Sequence, residues 1–211
     1  MIDTPAPVRR SPLAHRHSAR GARWVDRLAE WPLEYGDRAA ESRAARDGVA
    51  LIDWGPLDKL HLRGVSLEAG VVGSGAAVGF PQGELWALHA DEAILLLPAA
   101  AVSALTALRE RGLVATDLSS GLAALRLVGP RSRRVLEELT QIDVSDGALP
   151  NGRVAFGPLA NVQATIGRRD RDGVPGFTIL VDRDLAEYVW DSLLEIGGAH
   201  GIIPAGCAVA A

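Results

Sequence analysis

The 211-residue sequence predicts an α+β fold: antiparallel sheets with packed helices. Three observations carry that prediction. Short runs of alternating polar and apolar residues are joined by brief turns, as in hairpins. Helical stretches with one apolar face lie between them. One strand–turn–strand pattern also occurs twice.

The elements follow in order. Arg23 to Leu28 alternates and reads as a half-buried strand. Trp31 to Gly36 reads as a turn-rich connector. Asp37 can cap a helix running through Arg46, with Gly48 at its end. Val49 to Asp53 and Lys59 to Arg63 are strands, the second closed by Gly64. The glycines at 70, 73, 75 and 79 suggest a flexible loop. Leu85 to Leu88 and Ala93 to Leu97 form a strand pair about a turn at Ala90 to Glu92. Ala99 to Arg111 is a helix ended by Gly112, and Pro130 opens another, with Val135, Leu136 and Leu139 as its apolar face. Arg131, Arg133 and Arg134 read as a solvated face, with an anion site as the sharper alternative. Asn161 to Arg168 and Gly176 to Val181 flank a polar hairpin loop. Asp182 or Asp184 then caps a helix through Ile196, in which Tyr188 and Trp190 read as packing residues.

The repeat lies in the middle of the chain. Leu113 to Asp117 resembles Val49 to Asp53, and Leu125 to Gly129 resembles Leu60 to Gly64. Two such copies suggest similar units about a pseudo-twofold; chance similarity of short strand patterns is the alternative.

Composition excludes several classes. The net charge of −4 supplies no basic field for nucleic acid or anionic membrane. Aromatic residues are 5% of the chain, too few for a base-stacking platform. The single cysteine, Cys207, fits a reducing compartment, and no His–Asp arrangement accompanies it. The longest apolar stretch, Ala93 to Val102, contains Pro98 and is too short to span a bilayer. The expected location is the cytoplasm. Residues 1–11 read as a flexible arm and 12–211 as one domain. His15 and His17 fall in a basic segment and read as solvated side chains, because i, i+2 spacing shares no helix face. No nucleophile elbow, phosphate loop, dinucleotide fingerprint or metal-ligand spacing is present.

Arg23 to Asp26 and Trp31 to Gly36 are similar to the opening of the glycine-cleavage T-protein, a folate-binding aminomethyltransferase. Ile52-Asp53 and Lys59 to Gly64 resemble that family's next strand pair, which lines its folate site. Gly176-Phe177, the helix to Ile196 and His200 to Pro204 resemble the end of its N-terminal domain. The middle of the chain resembles one branch, the gamma subunit of heterotetrameric sarcosine oxidase. Leu85 to Leu88, Asp91 to Leu97, Thr116 to Ser119, Leu125 to Arg131, Asp143-Val144 and Leu149 to Arg153 carry that likeness. The resemblance implies a pseudo-duplicated, T-protein N-terminal-type folate-binding domain.

The departures bear on chemistry. The family's catalytic Asp lies in a Gly-Gly-x-x-Asp-Asp-Leu segment; here the stretch is Pro81 to Leu85, and Glu84 is one or two positions away. The family's Thr-Gly-Glu-x-Gly-Phe-Glu turn holds the pterin; here Val174 and Thr178 replace its two carboxylates. The Ser-His of its Asp-Val-Ser-His turn is Gly55-Pro56. The resemblance therefore implies a non-catalytic gamma-type subunit. It would dock on a larger flavin- and folate-carrying oxidase subunit in a hetero-oligomer for oxidative N-demethylation. Flavin and NAD would sit only on partner subunits. A stand-alone folate-dependent transferase or demethylase is the alternative. Tyr35, Asp53, Glu84 and Arg168 would be its tetrahydrofolate-site groups, with Asp53 and Glu84 in acid–base roles. A third reading is the same fold recruited to unrelated chemistry.

Overall fold

The computed structural model describes residues 10–25, 31–55, 57–64, 74–80, 83–98 and 101–209. The chain begins with a short helix, α1 (Ala14–Ala19), and a hairpin of β1 (Arg23–Val25) and β2 (Trp31–Glu34). Helix α2 (Arg38–Asp47) leads into β3 (Val49–Asp53) and β4 (Asp58–Arg63). Strands β5 (Ala76–Phe80), β6 (Gly83–His89) and β7 (Glu92–Leu97) precede α3 (Ala101–Glu110). Then come β8 (Val114–Asp117), β9 (Leu122–Val128), α4 (Ser132–Glu137), β10 (Val154–Leu159), β11 (Val162–Arg168) and β12 (Gly176–Asp182). Helix α5 (Ala186–Gly197) and β13 (Ile202–Ala205) follow.

Two larger sheets result. One has the order β10-β11-β12-β9-β3-β13, the other β5-β6-β7-β4-β8. Among the described residues every pairing is antiparallel except one: β13 lies parallel to β3, with Ile202 opposite Val49. All five residues of β3 are buried, because both faces of this central strand are covered. Leu51 and Leu125 face a core that includes Phe177, Val189 and Trp190. Ala50 and Ile52 face the other side, toward Ala205.

The repeat is visible in the pairing register. Strand β3 pairs with β9, placing Asp53 opposite Leu125 and Ala50 opposite Val128. Strand β4 pairs with β8, placing Leu60 opposite Asp117 and Arg63 opposite Val114. Superposing one copy on the other converts the first pairing into the second, residue for residue. The turns agree as well. The Trp54 N–H donates to the Ala124 carbonyl at 2.8 Å, and the Leu118 N–H donates to the Lys59 carbonyl at 2.8 Å. Each copy gives one strand to each sheet, so the two sheets are tied together by the duplication.

Several local expectations hold. The Asp37 carboxylate accepts the Ala40 N–H at 2.8 Å and caps α2. Arg133 lies on the surface between Glu137 and Asp146. Others change. Trp31 to Glu34 is strand β2 rather than a connector; Pro32 is tolerated because a two-stranded ribbon leaves unpaired edges. The glycine-rich stretch contains β5, paired with β6 from Ala76 opposite Ala87 to Phe80 opposite Gly83; Gly70 and Gly73 lie outside the described residues. Asp182 and Asp184 cap no helix through their side chains, since Arg183–Leu185 forms a 3-10 turn ahead of α5. Trp190 is fully buried, whereas Tyr188 is 48% exposed. Residues 26–28 of the first expected strand lie outside the described residues. Gly129 takes a φ of 131°, and a Cβ there would stand 2.4 Å from the Gly48 carbonyl oxygen, so glycine lets β9 pass the end of α2.

Candidate functional site

Two polar clusters sit on opposite faces of the central sheet, and a third lies at its β11 end. Alternation along β3 sends Asp53 to the same face as Leu51, and Ile52 to the other. Arg126 is opposite Ile52, so it shares Ile52's face and not that of Asp53.

Asp53 is 1% exposed and fully engaged. Its Oδ1 accepts the Gly55 N–H at 2.7 Å. Its Oδ2 accepts the Ser11 hydroxyl and lies 2.8 Å from His17 Nε2. The other imidazole nitrogen, Nδ1, lies 2.6 Å from the Tyr35 hydroxyl. Burial pushes the Tyr35 phenol far above its ordinary range, and the Asp53 charge adds to this. A phenol that keeps its proton donates to Nδ1, and Nε2–H then faces Asp53. Trp24, Tyr35 and Trp190 surround the imidazole edge-on, with centroids 5.2–5.9 Å away. Trp31 Nε1 donates to the Asp53 carbonyl at 2.6 Å. The cluster fastens the N-terminal segment to β3.

His17 corrects the expectation of a solvated side chain, being fully buried, while His15 is exposed beside Glu187. Leu13 and His17 are four residues apart and occupy one face of a helical turn; that spacing was the available signal. Of the expected arm, residues 1–9 lie outside the described residues, and Ser11 is buried.

The second cluster lies where the two sheets meet. Arg126 is 4% exposed. Its Nη1 donates to Thr178 Oγ1 at 2.8 Å, and its Nη2 donates to the Arg169 carbonyl at 3.1 Å. The guanidinium stands 5.8 Å from the Trp54 ring centroid, and Trp54 meets Trp31 edge-on. Gly176 makes room for it: a Cβ there would lie 2.8 Å from Arg126 Nη2. Burial pushes the Arg126 pKa down to about 10, opposed by the nearby Glu84 charge. Glu84 itself accepts from Trp86 Nε1 at 3.1 Å. Among the described residues no carboxylate forms an ion pair with Arg126, and Glu84 and Asp170 are the negative charges near it. The Arg169 side chain lies across Gly79 of β5, close enough that a Cβ there would meet its Nη2 at 2.1 Å.

Arg168 forms the third group. It donates to Asp170 at 2.9 and 3.0 Å, to Asp146 at 2.5 Å and to the Leu149 carbonyl at 3.1 Å, over the Phe177 ring. The hydrogen bond to Asp170 holds its charge on more firmly than usual, and burial opposes this. The structure therefore joins Tyr35 to Asp53 through His17, places Glu84 on the other face near Arg126, and puts Arg168 in an ion cluster of its own. Arg126 and Arg169 were not anticipated; a charged residue inside the apolar run of a central strand was the signal for the first.

Among the described residues, no three His, Cys, Asp or Glu side chains are grouped to hold a metal, and no helix is long and apolar enough to cross a membrane.

Comparison with known proteins places this architecture. The family model of the GCVT N-terminal domain matches residues 94–210. An aminomethyltransferase of Acidobacterium capsulatum is 30% identical over 236 residues, covering 96% of this chain and 61% of that protein. An aminomethyltransferase of Streptomyces avermitilis is 31% identical over 217 residues, covering 90% and 58%. The chain thus spans less than two thirds of the length of these relatives. Among solved structures, the glycine cleavage system aminomethyltransferase T of Bartonella henselae matches with a TM-score of 0.78 at 19% identity, over 96% of this chain and 61% of that one. A chain of the heterotetrameric sarcosine oxidase of Corynebacterium sp. U-96 matches with a TM-score of 0.66 at 22% identity, over 92% of this chain and 97% of that one. The chain belongs to the GCVT N-terminal domain family and has the T-protein-like fold.

Proposed function

We propose that this chain is a non-catalytic, gamma-type subunit of a sarcosine-oxidase-like complex for oxidative N-demethylation. It docks on a larger subunit that carries flavin and folate, and the assembly works in the cytoplasm. The observation that supports this reading most is the commitment of the polar groups that would have to act. The Asp53 carboxylate is buried and accepts three hydrogen bonds within the chain's own core. Thr178 and Val174 stand at the turn where the resemblance implies carboxylates, and Thr178 faces the Arg126 guanidinium. A pterin ring presents N–H donors and needs acceptors, and Val174 and Thr178 bring no carboxylate to meet them. Unmet buried donors cost about 1–3 kcal/mol each. Tetrahydrofolate, the family's ligand, therefore fits these residues poorly.

The test is isolation of the tagged chain from its source cells. The expected product contains a larger flavin-carrying chain in fixed stoichiometry, and its flavin absorbance bleaches when sarcosine is added. A monomer that binds tetrahydrofolate tightly overturns the reading. The 30% identity to an aminomethyltransferase supports the second reading, a stand-alone folate-dependent transferase. A Glu84→Gln variant with unchanged turnover removes its main catalytic candidate.

A further inference from the structure

We propose that the seam between the two sheets receives a carboxylate from outside this chain, held by Arg126 with Arg169 beside it. Arg126 is 4% exposed, and among the described residues its guanidinium is hydrogen-bonded to a hydroxyl and a carbonyl and lies 5.8 Å from the Trp54 ring centroid. Glu84 and Asp170 are the negative charges near it. Glu84 is bonded to Trp86 and forms no ion pair with Arg126, and Asp170 is bonded to Arg168 and to the Gly176 N–H. Arg169 sets a second positive charge beside Arg126. The Arg169 side chain has no hydrogen bond or ion pair among the described residues. It reaches the seam only because position 79 of β5 is glycine.

A guanidinium fork matches a carboxylate with two parallel hydrogen bonds. Thr178 supports the same geometry from the facing strand. It is the direct cross-strand partner of Arg126, and its Oγ1 already lies 2.8 Å from the guanidinium. Two sources share this chemistry: a small organic acid, and an Asp or Glu side chain of a partner subunit.

The experiment separates them with one set of variants. The isolated full-length chain is titrated with acetate and with benzoate against chloride at equal ionic strength, reading Trp fluorescence and Tm. In parallel, the tagged chain is isolated from its source cells. Saturable binding of either acid, weakened about tenfold in Arg169→Ala and lost in Arg126→Met, identifies an organic-acid site. Thr178→Glu supplies the carboxylate within the chain. Its Tm is expected to rise and its response to added acid to vanish. If acetate and benzoate have no effect on the wild-type chain, but Thr178→Glu raises Tm and abolishes association with the larger subunit, the carboxylate comes from the partner. The proposal fails if Thr178→Glu gives no rise in Tm and the wild-type chain binds neither acid. It also fails if Thr178→Glu is stabilised while acid titration is flat and the partner is retained. The titration uses the isolated chain, so loss of the subunit reading leaves this result standing.

Discussion

The two copies of the strand–turn–strand unit begin the same way and end differently. In the first, Asp53 accepts the Gly55 N–H at 2.7 Å; in the second, Asp117 accepts the Ser119 N–H at 2.8 Å. These are the same turn, two residues across. Yet Asp53 is buried beneath His17, Ser11 and Trp31, while Asp117 is exposed. Turn chemistry is therefore repeated, but the segment laid over it is not. Helix α1 covers one copy only, and it converts a turn carboxylate into the anchor of a buried network.

The difference between the copies can be broken in order of size. Asp53→Ala leaves the His17 Nε2–H and the Ser11 hydroxyl without their buried acceptor, and should cost about 3–5 kcal/mol in urea unfolding. A loss under 1 kcal/mol, on the order of an exposed turn, would mean that the two copies are energetically alike. Tyr35→Phe removes the donor to His17 Nδ1 and should cost about 1–3 kcal/mol, with the N-terminal amides gaining hydrogen exchange first. Asp117→Ala removes one exposed turn bond and should cost about 0.5–1 kcal/mol.

The smallest effect is a pH dependence outside both copies. The hydrogen bond from Arg168 holds the Asp146 carboxyl below its ordinary value. Its folded pKa is depressed, so the unfolded chain takes up the proton first. The contribution is complete above the unfolded value of about 3.9 and disappears as pH falls through the lower folded value. Asp146→Asn should flatten that acid limb and leave stability at neutral pH almost unchanged, as followed by Tm against pH.

Much of the scaffold was legible in the sequence, because the signals are local. Asp37 and Gly48 bracket α2, and Val49 to Asp53 forms β3 with the expected bounds. The duplicated pattern even fixed the equivalence of Asp53 with Asp117, which the strand register reproduces. Strand β5 was not legible, because Gly79 carries no side chain to continue the alternation; its role is to admit Arg169. Strand β2 was hidden by Pro32, a turn signal that a two-stranded ribbon accommodates. The site was read least well. Of the four expected site groups, Tyr35 and Asp53 lie in one network through a buried histidine that was expected in solvent, while Glu84 and Arg168 lie apart from it.

By itself the sequence determined the α+β class, the antiparallel hairpins and the internal duplication. Those depend on alternation, capping and turn residues a few positions apart. Only the tertiary structure decided which aspartate is buried and what holds the buried arginine. Asp53 is sealed by a histidine 36 residues earlier, and Arg126 is held by a threonine 52 residues later. Burial is a property of what packs against a strand, and no local pattern around Asp53 or Asp117 encodes it.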